Sequence, residues 1–369
     1  MSAAPAPGAL YAGLMSGTSL DGVDAVLADF SGPKPRLPGR SHVPFDGALR
    51  AELLALNTPG PDEIDRAARA GNALARAYAA AVAAALHDAG IPHSAVRAIG
   101  CHGQTVRHRP ERGYTTQIGN PALLAELSGI AVVADFRSRD VAAGGQGAPL
   151  APAFHLSVFG DAREPRAVLN LGGIANLTAL PAAGATAGFD CGPGNALLDL
   201  WASRHLGRAY DEDGAWAQGG TVLPELLEAF LREPYFAAPP PKSTGRDLFN
   251  AAWLDARLRG GEAPRDVQAT LLELTARSVA DAARAHGAGA RRVIACGGGT
   301  RNGALMRRLG ALLAPAALET SDRHGVDPQL VEAAAFAWLA KKTVEGLPGN
   351  LPSVTGAAGP RVLGGYYPA

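Results

Sequence analysis

The segment Gly13-Leu-Met-Ser-Gly-Thr-Ser-Leu-Asp-Gly-Val-Asp24 overlaps one short apolar run, 10–15, and leads into another, 23–30. An apolar run, a glycine-rich turn and a second apolar run predict two β-strands joined by a turn. The same layout returns at 167–180, where Leu171-Gly172-Gly173-Ile174 separates two apolar runs. Strands and helices alternate after each unit. This order predicts two related α/β domains that face each other across a ligand-binding cleft.

The hydrophobic pattern places the other elements along the chain. Predicted strands are 95–101, 130–134, 167–170, 175–180, 292–296 and a short strand that ends at Asp190. Predicted helices are 62–89, 121–129, 149–159, 195–205, 265–286, 302–313 and a final helix to 344 that Asp327-Pro328 caps. The stretches 32–39 and 236–244 are rich in proline or glycine and predict loops. We expect an N-terminal domain of 1–150 plus about 346–369, and a C-terminal domain of 151–345.

Composition narrows the class of protein. The chain has 369 residues, of which 47% are hydrophobic and 18% charged, and this balance is typical of a globular protein. The formal net charge is zero, so we expect neither nucleic acid nor membrane as a partner. The start, MSAAPAPGAL, does not resemble a signal peptide. The three cysteines, Cys101, Cys191 and Cys296, show no CxxC spacing, which fits a reducing cytoplasm and argues against zinc.

The first glycine-rich turn is a candidate phosphate-binding segment. The chain has no GxxxxGK[ST] sequence, so a P-loop is excluded. Glycines let a backbone approach a ligand closely, and successive N–H and hydroxyl groups bind phosphate oxygens. The candidate residues are Gly17, Thr18, Ser19, Leu20, Asp21, Gly22, Val23 and Asp24. Asp21 and Asp24 are candidate Mg²⁺ ligands, directly or through water. A hairpin with a Ser/Thr-rich turn and no ligand is the alternative.

Polar residues follow two of the predicted strands, where α/β proteins place their ligands. His102, Gln104 and Thr105 follow the first of these strands, and Asp135 and Arg137 follow the second. Arginine suits a carboxylate or phosphate, and a carboxylate such as Asp135 accepts hydrogen bonds from sugar hydroxyls. We interpret these five as substrate-binding residues. For the neighbouring Arg139 and Asp140, an internal ion-pair cluster is an equally good interpretation.

Two later glycine segments extend the nucleotide hypothesis. Gly172 and Gly173 form the second turn and are candidates for clamping phosphates, while Gly297-Gly298-Gly299 before a helix leaves room for an adenosine. Neither has the GxGxxG pattern of a Rossmann site.

Asp190 stands at the end of a predicted strand, before Gly192-Pro193-Gly194 and a helix. A carboxylate fixed in this way is a good candidate for a general base. An ordinary helix-start aspartate is the alternative.

Two glycine-rich hairpins followed by a late glycine turn resemble the two phosphate motifs and the adenosine motif of the sugar kinase/Hsp70/actin superfamily. Within it, the chain resembles the anhydro-N-acetylmuramic acid kinase family from Gly13 to Ala340. The strings that carry the resemblance are MSGTSLDGVD, CHGQTVRH, QIGNPALLA, ADFRSRDVAAGGQGAPL, NLGGIANLT, FDCGPGNALLD, KSTGRDLFN, CGGGTRN and VEAAAFAWLA. Cys191 stands where many members have a small hydroxyl residue such as threonine.

The resemblance implies two actin-like (ribonuclease H-like) domains with an interdomain active-site cleft. It implies ATP and Mg²⁺ as cofactors, ATP binding by Gly17–Asp24, Asp190 as the catalytic base and Asn195 among the substrate-binding residues. The implied reaction opens 1,6-anhydro-N-acetylmuramic acid with water and phosphorylates O6, giving N-acetylmuramic acid 6-phosphate and ADP in cell-wall recycling. An actin-like kinase for another sugar or sugar acid, a non-catalytic ATPase and an ATP-independent glycosidase are the alternatives. A homodimer is an open option.

Overall fold

The structure, a computed structural model, describes residues 10–17 and 20–369. Its strands are β1 Leu10–Met15, β2 Gly22–Asp29, β3 Arg36–Pro44, β4 Val96–Cys101, β5 Gln104–Arg109, β6 Tyr114–Ile118, β7 Val132–Ala134, β8 Arg166–Leu171, β9 Ala175–Leu180, β10 Ala187–Gly192, β11 Arg292–Cys296, β12 Ala317–Thr320 and β13 Gly365–Tyr367. Its α-helices are α1 Gly47–Ala55, α2 Glu63–Ala89, α3 Pro121–Ser128, α4 Ser138–Ala142, α5 Ala151–Phe159, α6 Ala196–Leu206, α7 Ala215–Gln218, α8 Pro224–Leu231, α9 Pro234–Ala237, α10 Ala251–Asp255, α11 Pro264–His286, α12 Gly303–Leu313, α13 Val331–Val344 and α14 Pro352–Thr355.

Contacts divide the chain into two compact units, Met1–Phe154 with His324–Ala369, and His155–Arg323. The first unit has a six-stranded sheet in the order β13-β7-β4-β1-β2-β3. Strands β1, β2 and β3 are antiparallel neighbours, as expected for strands that short turns connect, whereas β1, β4 and β7 are parallel. A two-stranded sheet of β5 and β6 follows β4.

Helix α13 lies against β1 and β4 because both strands carry a glycine where the helix crosses. A Cβ atom on Gly13 would lie 1.9 Å from the carbonyl oxygen of Ala333, and one on Gly100 would lie 2.0 Å from that of Phe336. Since no side chain fits there, the backbone of the helix packs directly on the sheet. Gly13 therefore serves the fold and not a ligand at this face. Helix α2 packs on β2 and β3 and buries Leu74 and Tyr78.

The second unit has a five-stranded sheet in the order β10-β9-β8-β11-β12. Strands β8, β9 and β10 are antiparallel neighbours, and β8, β11 and β12 are parallel. This order and these directions repeat those of β3-β2-β1-β4-β7 strand by strand. Each unit therefore has the sheet topology of a ribonuclease H-like domain, and the predicted fold class of two actin-like α/β domains is confirmed. The long helix α11 packs against α6, α7, α8 and α12 and against β9 and β10, and its residues 267–276 are buried on all sides.

Two local predictions were wrong. Much of 32–39 was predicted as a loop, but β3 begins at Arg36 and continues through Pro38 as an edge strand beside β2. Proline is tolerated at an edge, because its missing N–H faces no neighbouring strand. Asp327 does not cap the final helix. Its carboxylate accepts the N–H of Gln329 at 2.9 Å in a turn, and α13 begins at Val331.

The predicted domain limits stay a prediction. The compact units differ from them at 151–154 and 324–345, and α13 packs on the sheet of the first unit. No helix in the described part of the chain is both long and apolar enough to span a membrane.

Candidate active site

The turn between β1 and β2 is tied to the start of β5. Ser16 is buried, and its hydroxyl donates to the carbonyl of Gly103 at 3.2 Å and accepts from the hydroxyl of Tyr78 at 2.9 Å. The carbonyl of Gly17 accepts the N–H of Leu20 at 3.3 Å and the side-chain amide of Gln104 at 3.5 Å. The structure thus connects a predicted nucleotide-binding residue to a predicted substrate-binding residue.

Only part of the predicted nucleotide segment can be placed. Thr18 and Ser19 lie outside the described residues, while Gly17 and the residues 20–24 lie inside them. Leu20 and Val23 have buried side chains, so only their backbones are available to a ligand. A Cβ on Gly22 would lie 2.4 Å from the carbonyl oxygen of Val43. This glycine therefore allows close pairing with β3.

The predicted Mg²⁺ ligands are carboxylates near the start of β2. Asp21 is exposed, and Asp24 uses one oxygen in a contact of 2.9 Å with Nδ1 of His42 on β3. Carboxylate oxygens are the protein ligands that Mg²⁺ prefers, and this ion usually keeps several waters. The described residues contain no group of three or more His, Cys, Asp or Glu arranged to hold a metal. Two carboxylates suit an ion that keeps most of its waters, and Mg²⁺ binding by Asp21 and Asp24 stays a prediction.

His102 and Arg137 follow two neighbouring strands and are in direct contact. The guanidinium Nη2 of Arg137 donates to Nε2 of His102 at 2.9 Å, and its Nη1 donates to the carbonyl of Gly147 at 2.8 Å. Burial, and then the charge of Arg137, lower the pKa of His102 to about 3. His102 is therefore neutral at physiological pH, with its proton on Nδ1. Burial lowers the pKa of Arg137 to about 10, which leaves it charged.

Two glutamine carbonyls near these residues are buried without a hydrogen-bond partner among the described residues. These are Oε1 of Gln104 and Oε1 of Gln117. Gln117 donates from Nε2 to the hydroxyls of Thr105 at 3.1 Å and Thr115 at 2.8 Å. A buried acceptor without a partner costs free energy, so these oxygens are suited to accept hydrogen bonds from a ligand. Gln117 was not predicted, although it opens the string QIGNPALLA.

The two acidic residues of the 135–140 segment behave differently. Asp135 is exposed, has φ of 57° and accepts the hydroxyl of Ser138 at 2.5 Å. Asp140 is fully buried and accepts hydrogen bonds from the N–H of Gly147, the amide of Asn350 and the hydroxyl of Thr355 at 2.6–2.8 Å. Asp140 therefore organises the loop that follows it, in line with the internal interpretation, and Asp135 remains available to solvent.

In the second unit, the glycine segments meet around Leu171. Asn195 donates its side-chain amide to the carbonyl of Leu171 at 3.0 Å and its backbone N–H to that of Gly172 at 2.9 Å. A Cβ on Gly194 would lie 2.4 Å from the carbonyl oxygen of Gly172. A Cβ on Gly299 would lie 2.7 Å from Cβ of Leu171. The predicted nucleotide-binding glycines Gly172, Gly173, Gly297, Gly298 and Gly299 and the predicted substrate-binding Asn195 therefore belong to one cluster.

Asp190 lies at the end of β10 and is held by the segment 242–244. Its Oδ2 accepts the N–H of Thr244 at 3.0 Å and the hydroxyl of Ser243 at 3.0 Å, and its backbone N–H donates to the carbonyl of Lys242 at 3.2 Å. The hydroxyl of Tyr235 donates to the carbonyl of Asp190 at 2.8 Å. Burial raises the pKa of the Asp190 carboxyl against these hydrogen bonds. The hydrogen bonds hold the carboxylate of Asp190 in place, and burial increases its affinity for a proton.

Arg246 and Asp199 are neighbours of this cluster that were not predicted. Nη2 of Arg246 lies 3.8 Å from the position that a Cβ on Gly173 would take. Burial raises the pKa of Asp199, in the first turn of α6, to about 6, although the charge of Arg246 opposes the rise. Both residues lie in quoted strings, KSTGRDLFN and FDCGPGNALLD, but no spacing in the sequence shows that the two strings meet.

Comparisons with known proteins identify the family. The family profile described as anhydro-N-acetylmuramic acid kinase matches residues 9–369. A relative of that name from Cupriavidus pinatubonensis is 59% identical over 98% of this chain and 99% of its own. A relative of the same name from Variovorax paradoxus is 57% identical over 98% of this chain and 100% of its own. A third, from Nitrosospira multiformis, is 54% identical over 98% of this chain and 99% of its own. The resemblance seen in the sequence is confirmed, and the chain belongs to the anhydro-N-acetylmuramic acid kinase family.

Proposed function

We propose that this protein uses ATP to phosphorylate 1,6-anhydro-N-acetylmuramic acid at O6 while water opens the anhydro ring. The products are N-acetylmuramic acid 6-phosphate and ADP. The observation that carries this proposal is the carboxylate of Asp190, which two hydrogen bonds hold at 3.0 Å in the unit where the glycine segments converge. A kinase needs positioned phosphates, and a ring-opening kinase needs a base for water as well.

The chemistry of the sugar explains why one carboxylate is enough. An anhydro sugar has no free O6 hydroxyl, because O6 is bonded to C1. Water attacks C1 and gives its proton to Asp190, and the C1–O6 bond breaks. O6 then forms a bond to the γ-phosphorus of ATP as the bond to ADP breaks. The acceptor oxygen needs no separate deprotonation, which fits a site with a single general base.

The nucleotide is assigned to the glycine segments of each unit. The first unit supplies Gly17, Thr18, Ser19 and 20–24, and the second supplies Gly172, Gly173 and Gly297–Gly299. Backbone N–H groups at such turns bind phosphate oxygens, and the absence of bulky side chains lets the phosphates approach. Asp21 and Asp24 are assigned to Mg²⁺, which supplies positive charge to the phosphates.

The sugar is assigned to the polar residues His102, Gln104, Thr105, Asp135, Arg137 and Asn195. Arg137 provides the fixed positive charge that suits an anionic group on the sugar, and it is oriented by His102 and Gly147. Oε1 of Gln104 has no hydrogen-bond partner among residues 10–17 and 20–369, so it is suited to accept a hydrogen bond from a hydroxyl or amide of the sugar. We propose a cytoplasmic location, where ATP is available, and leave a homodimer as an option.

Mass spectrometry of the product tests the proposal. The full chain is incubated with ATP, Mg²⁺ and either the anhydro sugar or a panel of free sugars and sugar acids. We expect a product from the anhydro sugar that has gained both water and a phosphoryl group. A phosphorylated product from another sugar alone would instead support the alternative, an actin-like kinase with a different substrate.

A further inference from the structure

Arg246 is an exposed cation beside the second glycine turn. Its side chain has no hydrogen bond within the described part of the chain, and Nη2 lies 3.8 Å from the position of a Cβ on Gly173. An arginine that only stabilises the fold normally pairs with a carboxylate or a carbonyl, as Arg204 does with Asp255. Arg246 therefore presents its donors to solvent next to a proposed phosphate-binding turn.

The backbone on both sides of Arg246 is fixed. Before it, Ser243 and Thr244 donate hydrogen bonds to Oδ2 of Asp190. After it, the N–H of Phe249 donates to the carbonyl of Gly245 at 3.0 Å, and the Phe249 side chain is buried. One short segment thus contacts the proposed base and also places a guanidinium beside the glycine turn. The main chain at Arg246 is thereby tied to Asp190 on one side and to the buried Phe249 on the other.

The lysine of the second unit is hydrogen-bonded to main-chain carbonyls. Lys242 is the one lysine between 155 and 323. Its Nζ donates to the carbonyls of Tyr235 at 3.1 Å and Phe236 at 3.2 Å and lies 4.8 Å from the centre of the Tyr235 ring. Burial lowers the pKa of Lys242. Since this lysine is bound to the fold, an arginine is the better candidate for a side-chain cation that contacts a phosphoryl group in this unit.

We propose that Arg246 is a catalytic residue that binds the phosphoryl group being transferred from ATP. The inference rests on the proposed function and names a contact for its phosphate turn. A planar guanidinium donates two parallel hydrogen bonds to phosphate oxygens and stabilises the charge that builds on them during transfer. The charge of Arg246 also acts on Asp199, because it opposes the rise in the pKa of that carboxyl that burial causes.

The experiment compares Arg246→Ala and Arg246→Lys with the wild type in the full chain. Arg232→Ala is the matched control, because Arg232 is exposed on the same unit and forms an ion pair with Glu228 one helical turn away. We expect kcat of Arg246→Ala to fall by roughly 10²–10³-fold, as for other single contacts to transition-state charge, and Arg246→Lys to lose less. Added guanidinium ion should restore part of the activity of Arg246→Ala and change nothing in the control.

Calorimetry with a non-hydrolysable ATP analogue and with ADP gives a second readout that needs no sugar. The affinity of Arg246→Ala for the analogue should fall by about tenfold, equal to about 1.4 kcal/mol, while its affinity for ADP stays within about twofold. Wild-type kcat and wild-type affinity for the analogue in Arg246→Ala would overturn the inference. Equal losses for the analogue and ADP would overturn it too, because they would place Arg246 away from the terminal phosphate. If the wild type makes no product but the analogue and ADP still differ, only the proposed substrate is wrong.

Discussion

The guanidinium of Arg137 donates from Nη2 to Nε2 of His102 across 2.9 Å. This pairing of a cation with an imidazole is possible because burial and the neighbouring charge keep His102 unprotonated, with a pKa of about 3. It also directs Nη1 to the carbonyl of Gly147. Two of the donors of Arg137 are thereby fixed by the protein, so the guanidinium has a defined plane before any ligand arrives.

Replacing Arg137 by lysine should weaken binding of the sugar. A lysine ammonium is a point charge on a flexible chain and cannot hold His102 and Gly147 at once in the plane of a guanidinium. We expect KM for the anhydro sugar to rise by about tenfold or more, whereas KM for ATP changes by less than about threefold. Steady-state kinetics measure both constants. Arg97→Lys, an exposed change on β4, serves as the control, and a larger effect on ATP than on the sugar would contradict the assignment.

Buried histidines should make the protein unstable in mild acid. Burial lowers the pKa values of His102 and His155 to about 3, from about 6.5 in the unfolded chain. The unfolded chain therefore binds more protons between pH 6.5 and 3, and the free energy of unfolding falls as the pH falls through this window. Each histidine contributes a slope of up to about 1.4 kcal/mol per pH unit.

His155→Gln separates this effect from the active site. His155 is bonded through Nδ1 to the hydroxyl of Thr178 at 2.9 Å and has no assigned contact with a ligand. Denaturant unfolding at pH 7 and pH 5 should show a smaller loss of stability in the variant than in the wild type. His87→Gln, at an exposed position on α2, is the control. An unchanged slope in His155→Gln would show that this histidine does not keep its lowered pKa.

The sequence predicts the fold well where a local pattern is strong, and less well where tertiary contacts decide. The two strand–turn–strand units and the glycine end of α2 at Gly90 are local patterns, and both are present in the structure. Strand β3 was missed because its prolines and glycine predict a loop, whereas the neighbouring edge of β2 makes it a strand. Helix α13 belongs to the first unit because it contacts Gly13 and Gly100, which lie more than 200 residues earlier in the chain. A local sequence pattern does not show these contacts.

The residues of the candidate site were also predicted where a local motif marks them and missed where only tertiary contacts bring them together. Asp190 and the glycine turns stand out in the sequence because each is a short motif at a strand end. Gln117 and Arg246 are not part of such a motif, and only the fold shows that Gln117 contacts Thr105 and that Arg246 lies beside Gly173. Asp140 looked as much like a ligand-binding residue as a structural one. Three internal hydrogen bonds from residues as distant as Thr355 favour the structural interpretation.

Replacing Gly17 by valine should remove nucleotide binding. The carbonyl of Gly17 faces Leu20 and Gln104, and a branched side chain here would occupy the path assigned to the phosphates. We expect the affinity for ATP to fall by about 100-fold or more in calorimetry. Gly47→Val is a suitable control, since a Cβ on Gly47 meets no atom within 4 Å. A folded Gly17→Val protein that binds ATP as the wild type does would show that the turn is not the phosphate site.

Replacing Asp190 by asparagine should abolish most turnover and leave nucleotide binding nearly unchanged. Asparagine keeps the size of the side chain and can accept from Thr244 and Ser243, but it has no basic oxygen for the proton of the attacking water. General-base assistance contributes roughly 10²–10⁴-fold, so kcat should fall by that factor, with ATP affinity within about twofold of the wild type. Asp247→Asn, an exposed change in the same loop, is the control.

Two further experiments show whether Asp190 acts on water: the pH dependence of kcat/KM and labelling with ¹⁸O-water. Because burial raises the pKa of Asp190, wild-type kcat/KM should fall as the pH drops through that raised pKa, and the residual activity of Asp190→Asn should lack this limb. In ¹⁸O-water, the wild-type reaction should place the label at C1 of the sugar, since water attacks carbon while O6 keeps its own oxygen and receives the phosphoryl group. Label in the phosphate would mean that water attacks ATP instead. Full activity in Asp190→Asn would assign the base to another residue.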